Sequence, residues 1–341
     1  MSFNSDTPIS SAKENKFSGR YSYAKSIAKA IKSLQNDRSF VVALYSKWGY
    51  GKTSVMNMVK QQLKKSKVGK NIFCIDLVPW NFVSSGEVAR YLFYELAEDC
   101  NNHKIKKFLR KKKEYIKPTI NSISGIAQFI PGFGSALGST LKTSTEFISA
   151  IGIKSYQKIK SELEKDIKKT GKKVVVFIDD IDRLDAEGVL DTFKLIKSVA
   201  NIKGVVFFLA FDYEVVTAML DNLHTTERGK DFIDKIVQIP LELPHIDRIE
   251  LDDLFISGLN NILAHNHTET PDEDNSKVSF GLFYEDVKKY IDTPRSISRI
   301  LNALEFVIPL LEGEVNTLDL ICLEMIRVFK PKLYNTIRDN K

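Results

Sequence analysis

Apolar positions along this chain recur first at helical and then at strand spacing. Tyr23, Ile27, Ile31 and Leu34 repeat with basic residues between them, which predicts an amphipathic first helix behind a polar, loose stretch over residues 1–16. Phe40 to Tyr45 is a run of β-formers that leads into a glycine-bearing loop, after which Thr53 to Leu63 reads as helix. Asn71 to Val78 makes a second apolar run, closed by Pro79-Trp80 ahead of a helical stretch from Glu87 to Asp99. Lys173 to Ile178 is continuously apolar and β-branched, as suits a strand buried on both faces. Val205 to Phe211 has the same character, and Ile236 to Leu241 supplies a fifth run. Strands alternating with helices predict an α/β fold with a parallel sheet.

Beyond Pro244 the pattern turns helical, interrupted by a polar, acidic stretch from His265 to Ser276 that reads as a loop. No repeat at a fixed period points to a solenoid. The expected division is a flexible N-terminus over 1–16, a core over 17–245 and a C-terminal helical domain over 246–341, with a helical insert in the core at about 101–170. Within the insert, Pro118 to Leu141 carries no charged residue and follows the basic run Lys104 to Lys113. It is long enough to span a bilayer, but Asn121, Gln128 and Pro131-Gly132 leave it too polar and too broken for that. A helix or hairpin packed on protein is the favoured reading over membrane contact.

Composition changes this picture little. A length of 341 residues allows one large core plus an appendage, and 43% hydrophobic with 27% charged residues excludes disorder and fibrous classes. Net charge is +7, which permits contact with nucleic acid or an anionic membrane and requires neither. Cys74, Cys100 and Cys322 are odd in number and in no metal-ligand spacing, so core packing in a reducing compartment is expected. Met1 to Phe17 lacks an apolar signal run, which places the expected location in the cytoplasm. His265 and His267 lie beside acids without a third ligand and read as solvated.

The chemistry is carried by two segments. Ser46-Lys47-Trp48-Gly49-Tyr50-Gly51-Lys52-Thr53 fits the Walker A pattern at every fixed position but the first, where Ser46 stands for glycine. Such a loop curls backbone N–H groups around phosphates, and Ser54 follows at the helix start. Lys52 would reach the β and γ oxygens, and the Thr53 hydroxyl would ligate magnesium. The second segment, Val174 to Asp180, is an apolar strand ending in paired acids, the Walker B arrangement. It would deliver Asp179 to the magnesium shell and Asp180 to the attacking water. Both Ser46 and the short Asp180 side chain point to slow hydrolysis.

Asp179-Asp180-Ile181-Asp182-Arg183-Leu184 resembles the DDxDR signature of KAP-type P-loop NTPases. Arg20 with Tyr23-Ala24, Trp48-Gly49, Val78-Pro79-Trp80-Asn81-Phe82 and Leu209-Ala210-Phe211-Asp212 agree with that family's other blocks. So do Asp234 to Pro240 and Thr293 to Arg299. The resemblance implies a STAND- or AAA+-like sheet with the Walker B strand between the P-loop strand and others. It also implies a sensor role for Asp212, a basic finger at Lys235, with Arg228 nearby, and a phosphate-reaching arginine at Arg295. Members of the family commonly insert membrane helices where Pro118 to Leu141 sits, and this chain's weakly apolar insert departs from that pattern.

The resulting expectation is an ATP- and Mg2+-dependent switch, read out by a homo-oligomer or a protein partner, with prokaryotic phage defence as the family analogy. GTP is disfavoured because Phe211-Asp212-Tyr213 stands where an Asn-Lys-x-Asp motif would read guanine. The alternatives are an ATPase that assembles on DNA and a signalling platform at a membrane surface. No GxSxG, HExxH or CxxC pattern is present.

Overall fold

The computed structural model describes residues 7–339, apart from 10, 12, 14, 16, 36, 66–70, 83–84, 112–152, 200, 224–227, 266–280, 282–283 and 286–287. Five strands pair in parallel: β1 Phe40–Tyr45, β2 Ile72–Leu77, β3 Lys173–Ile178, β4 Val205–Phe211 and β5 Ile239–Glu242. Their order is β2-β3-β4-β1-β5. Every residue of β3 and β4 is buried, which is why their sequences run apolar without alternation. β3 does lie between the P-loop strand and β2, but β4 separates it from β1.

One face of the sheet is covered by α1 (Arg20–Ser33) and α2 (Lys52–Lys64). Ile27, Ile31, Val55, Met58 and Leu63 pack there against Val42, Leu44, Phe177 and Phe208. Ala24 and Ala28 bring α1 close, whereas Tyr23 is half-buried and donates its hydroxyl to the Glu242 carbonyl at 2.8 Å. The stem of Lys173 is buried at the start of β3. Its ammonium donates to the carbonyls of Ile31, Lys32 and Leu34 at 2.8, 3.0 and 2.6 Å, satisfying the orphaned end of α1.

The other face carries α3 (Ser85–Asp99), α4 (His103–Lys111), α5 (Ile153–Thr170), α6 (Ala186–Val199), α7 (Tyr213–Asp221) and α8 (Gly229–Asp234). Phe93, Phe193, Phe207 and Phe211 anchor that layer. A separate core built on Phe255, Ile297, Ile300, Leu304 and Ile321 belongs to α9 (Arg248–His265), α10 (Pro294–Val307) and α11 (Thr317–Phe329), and α12 (Pro331–Asp339) follows without a buried residue. α10 opens on a capping box: Thr293 Oγ1 accepts the Ser296 N–H at 3.0 Å, and Ser296 Oγ accepts the Thr293 N–H at 3.1 Å.

Several expectations shift. The fifth strand begins at Ile239 rather than Ile236, because the N–H groups of Ile236 and Val237 both donate to Ile233 and close the end of α8. The basic run lies on α4, where Ile105 and Leu109 are buried while Lys104 and Lys107 face solvent. The cysteines are half-buried, with Cys74 and Cys100 packed against the cores on the two faces of the sheet; burial pushes Cys74 up to about 11 and Cys100 to about 12. Residues 118–141, the polar stretch after His265 and His267 lie outside the described residues. Among the described residues, no helix is long and apolar enough to cross a membrane, and no three His, Cys, Asp or Glu side chains group to hold a metal ion.

Gly229 opens α8 where that helix meets α7. A Cβ there would meet the Thr217 carbonyl oxygen at 2.5 Å and Leu220 Cβ at 2.9 Å. Backbone cannot yield as a side-chain tip can, so Gly229→Ala is expected to cost about 1–3 kcal/mol, read as a lower urea midpoint.

Candidate functional site

The loop after β1 owes its curl to two glycines, since Gly49 and Gly51 both sit at φ 89°. Ser46 needs no such freedom. It is not among the residues at positive φ, and its N–H continues the sheet by donating to the Phe211 carbonyl at 3.4 Å. The serine in place of glycine therefore does not strain the first turn. Lys52 opens α2 and is 8% exposed, its ammonium donating to the Ser46 and Lys47 carbonyls at 2.9 and 3.4 Å. A buried ammonium needs a nearby anion. That anion is Asp182, whose Oδ2 lies 3.3 Å from Lys52 Nζ.

Asp182 reaches Lys52 through a reversal in the chain. Asp179 follows β3 and is buried, its Oδ1 accepting the Asp180 N–H at 2.9 Å. Asp180 then adopts φ 58°, ψ 31°, a left-handed conformation that aspartate tolerates better than most residues. The short 3-10 turn Ile181–Arg183 folds the chain back, and Asp182 Oδ2 also accepts the Asp212 N–H at 3.0 Å. Asp180 pairs with Arg183 at 2.8 Å. Burial, and next the neighbouring Asp179 charge, push the Asp180 carboxyl above its ordinary value, against the pull of Arg183.

These groups line one cleft of ≈ 340 Å³. Its floor is Gly49, Tyr50, Gly51, Lys52, Thr53 and Ser54 with Asp179, Asp180, Asp182 and Arg183. A second wall comes from the N-terminal segment. Ile9 donates its N–H to Ser54 Oγ at 3.2 Å and accepts from Asn57 Nδ2 at 3.1 Å, while Phe17 packs on the C-terminal core. Arg20, 4% exposed, donates one guanidinium arm to the Tyr50 carbonyl at 3.0 Å. Its other terminal nitrogen is buried without a partner, and burial lowers the group to about 10. The third wall is the C-terminal helical region, through Leu254, Pro294, Arg295, Ile297 and Leu301.

Arg295 stacks on Trp48, its guanidinium carbon 3.9 Å from the ring centroid. A Cβ on Gly49 would stand 3.2 Å from Thr293 Oγ1 and 3.4 Å from Arg295 Cβ, so glycine is what lets α10 approach the loop. The structure thus brings Lys52, Thr53, Ser54, Asp179, Asp180 and Arg295 into one space, with Trp48 at its rim. Ser46 and Lys47 stand behind the loop, contributing carbonyls to Lys52. Asp212 and Lys235 are not in the cleft wall. The Asp212 carboxylate caps α7, accepting the Val215 N–H at 3.4 Å, and Lys235 is exposed at the end of α8. Sequence reasoning assigned no role to Asp182, Arg20, Ile9 or Phe17. Asp182 and Arg20 stood inside recognised motifs, whereas Ile9 and Phe17 are apolar residues in and beside a polar stretch that has no period to place them.

The KAP family P-loop domain matches residues 20–311. The chain belongs to that family. It is 25% identical over 350 residues to the phage T7 exclusion protein of Escherichia coli strain K12, covering 97% of this chain and 47% of that protein. The chain thus spans about half the length of that curated relative. Among solved structures, it is similar to domain III of the Thermotoga maritima replication initiation protein DnaA, at 11% identity and TM-score 0.42. That match covers 96% of this chain and all of that one. It is also similar to a Thermotoga maritima RuvB mutant, at 14% identity and TM-score 0.41, over 94% of this chain and 72% of that one. A KAP-family P-loop domain implies nucleotide binding.

Trp48 and Trp80 are the chain's tryptophans. In a Trp80→Phe background, a nucleotide that enters the cleft is expected to change Trp48 emission. Arg295→Ala should shift the starting spectrum by removing the stacked guanidinium; an emission spectrum unmoved by Arg295→Ala counts against the stack.

Proposed function

We propose that this KAP-family domain binds ATP with magnesium, hydrolyses it slowly, and reports its nucleotide state through the C-terminal helical domain. The observation that carries this reading is the single cleft in which Lys52 and Asp179 meet Arg295 from the C-terminal domain. Lys52 would hold phosphate oxygens, and the backbone N–H groups of Gly49 to Thr53 at the start of α2 would cradle them. Thr53 and Asp179 offer one hydroxyl and one carboxylate. That sparse set suits magnesium, which keeps few protein ligands and relies on phosphate oxygens for the rest. When bound, magnesium would neutralise charge on the β and γ oxygens.

Asp180 is the group proposed to accept the proton of the attacking water. Its raised pKa favours that task, since a base is most effective when its pKa approaches the working pH. Arg183 pairs with Asp180 Oδ1 and pulls its pKa back down, weakening the base, which is a physical basis for slow hydrolysis that does not depend on Ser46. Arg295 would leave Trp48 to reach the phosphates, closing the helical domain about the link near residue 245. The domain limits 17–245 and 246–341 are part of this proposal. Asp212 would act on the site through its N–H to Asp182 more than through its carboxylate. Lys235, exposed and outside the cleft, suits a finger presented to a neighbouring copy.

A role in excluding phage is proposed by analogy with the relative, of which the chain covers about half. The exposed Lys104 and Lys107 on α4 favour nucleic acid as a second reading, tested by salt-dependent retention on DNA.

Lys52→Ala should abolish ATP binding in calorimetry. Asp180→Asn should keep binding and lower turnover by about a hundredfold or more. Because the Asp180 carboxyl must be ionised to accept a proton, wild-type turnover should fall at acid pH, and that limb should vanish in Asp180→Asn. Undiminished hydrolysis in both variants would sink the assignment.

A further inference from the structure

Lys52 has three N–H donors, and the protein already engages all of them: the Ser46 carbonyl, the Lys47 carbonyl and Asp182. A phosphate oxygen that takes this ammonium has to displace one partner. The two carbonyls belong to a loop that must stay curled to present its N–H groups. Asp182 is the charged partner, and its side chain is 7% exposed. Across so dry a cleft its negative charge repels an incoming polyanion far more strongly than it would in water. Asp182 is also fixed in place, because the Asp212 N–H holds the same Oδ2 at 3.0 Å.

We propose that Asp182 is a positioning residue that competes with phosphate for Lys52. It stabilises the ammonium in the nucleotide-free cleft and lowers affinity for every phosphate-bearing ligand. The inference rests on the nucleotide-binding reading of Lys52. Its sign separates it from a role in the magnesium shell: a metal ligand strengthens nucleotide binding, whereas a competitor weakens it. Pairing with Asp182 avoids an uncompensated buried charge at Lys52, and ligand release is assisted as Asp182 takes Lys52 back.

The test is calorimetry of the full chain with ADP and with inorganic tripolyphosphate, each with and without magnesium, since loss of a magnesium ligand would weaken binding only when the metal is present. Asp182→Asn keeps the side-chain volume and an acceptor for the Asp212 N–H while removing the charge. Both ligands are expected to bind it about tenfold more tightly than wild type, and Asp182→Glu should return affinity towards the weaker wild-type value. Unchanged or weaker binding to Asp182→Asn, with wild type binding normally, overturns the proposal and leaves the nucleotide reading standing. Failure of wild type to bind either ligand overturns both. Should Asp182→Asn not fold, a structure of the wild-type chain with tripolyphosphate decides: Lys52 Nζ must have left Asp182, and a retained contact overturns the proposal.

Discussion

Parallel pairing of β1 with β4, and of β4 with β3, brings the carboxyl ends of three strands to one edge of the sheet. Tyr45 pairs with Phe211 and Ile178 with Leu209, so the residues that follow, Ser46, Asp212 and Asp179, emerge side by side. Everything in the cleft depends on that edge. The Ser46 N–H extends it by one more bond to Phe211, and the Asp212 N–H reaches across to Asp182. Burial of β3 and β4 at every position fixes the register, because slipping either strand would carry its phenylalanines out of matched pockets on both faces.

The edge also concentrates charge. Lys52, Arg20 and Asp179 are buried and the Asp182 side chain is only 7% exposed, so each charge is compensated largely within the protein. Lys52 and Asp182 compensate one another. Asp179 holds a backbone N–H, and Asp180 shares Arg183. Arg20 is the least settled, with one arm on the Tyr50 carbonyl and burial drawing its pKa down despite Glu250 nearby. Such a set is costly as pure structure, since apolar residues would pack the same volume at lower free energy. Clusters of this kind belong to sites that handle charged ligands.

Much of this was legible in the residues. β1, β3 and β4 fall where their apolar runs predict, because a strand buried on both faces has no polar alternation to confuse the reading. Gly49, Gly51, Lys52 and Thr53 could be placed because a phosphate loop needs those residue types at that spacing. Ile236 and Val237 were misread as strand, since their burial comes from a helix end and period-2 spacing cannot tell the two apart. The role of Asp182 was hidden for a different reason. Its direction is decided by the left-handed conformation of Asp180 two residues earlier, which no composition rule announces. The Asp212 carboxylate reads equally well as a sensor and as a helix cap, and only the position of the Val215 N–H separates them.

The C-terminal domain touches the loop through a small set of contacts that a ligand could rearrange. Thr293 and Arg295 close on Gly49, Arg295 stacks on Trp48, and the Ser18 N–H donates to Glu250 at 2.7 Å from the segment that also carries Ile9 and Phe17. None of these is a large apolar interface; Phe17 packs on the C-terminal core, and each core keeps its own hydrophobic cluster. Interfaces of that composition shift at small cost. A ligand moves such an equilibrium only by the difference in its contacts with the two states. In the proposed switch that difference would come from Arg295 exchanging the Trp48 ring for a phosphate. In that proposal the aromatic stack would set how much phosphate binding must supply before the helical region moves.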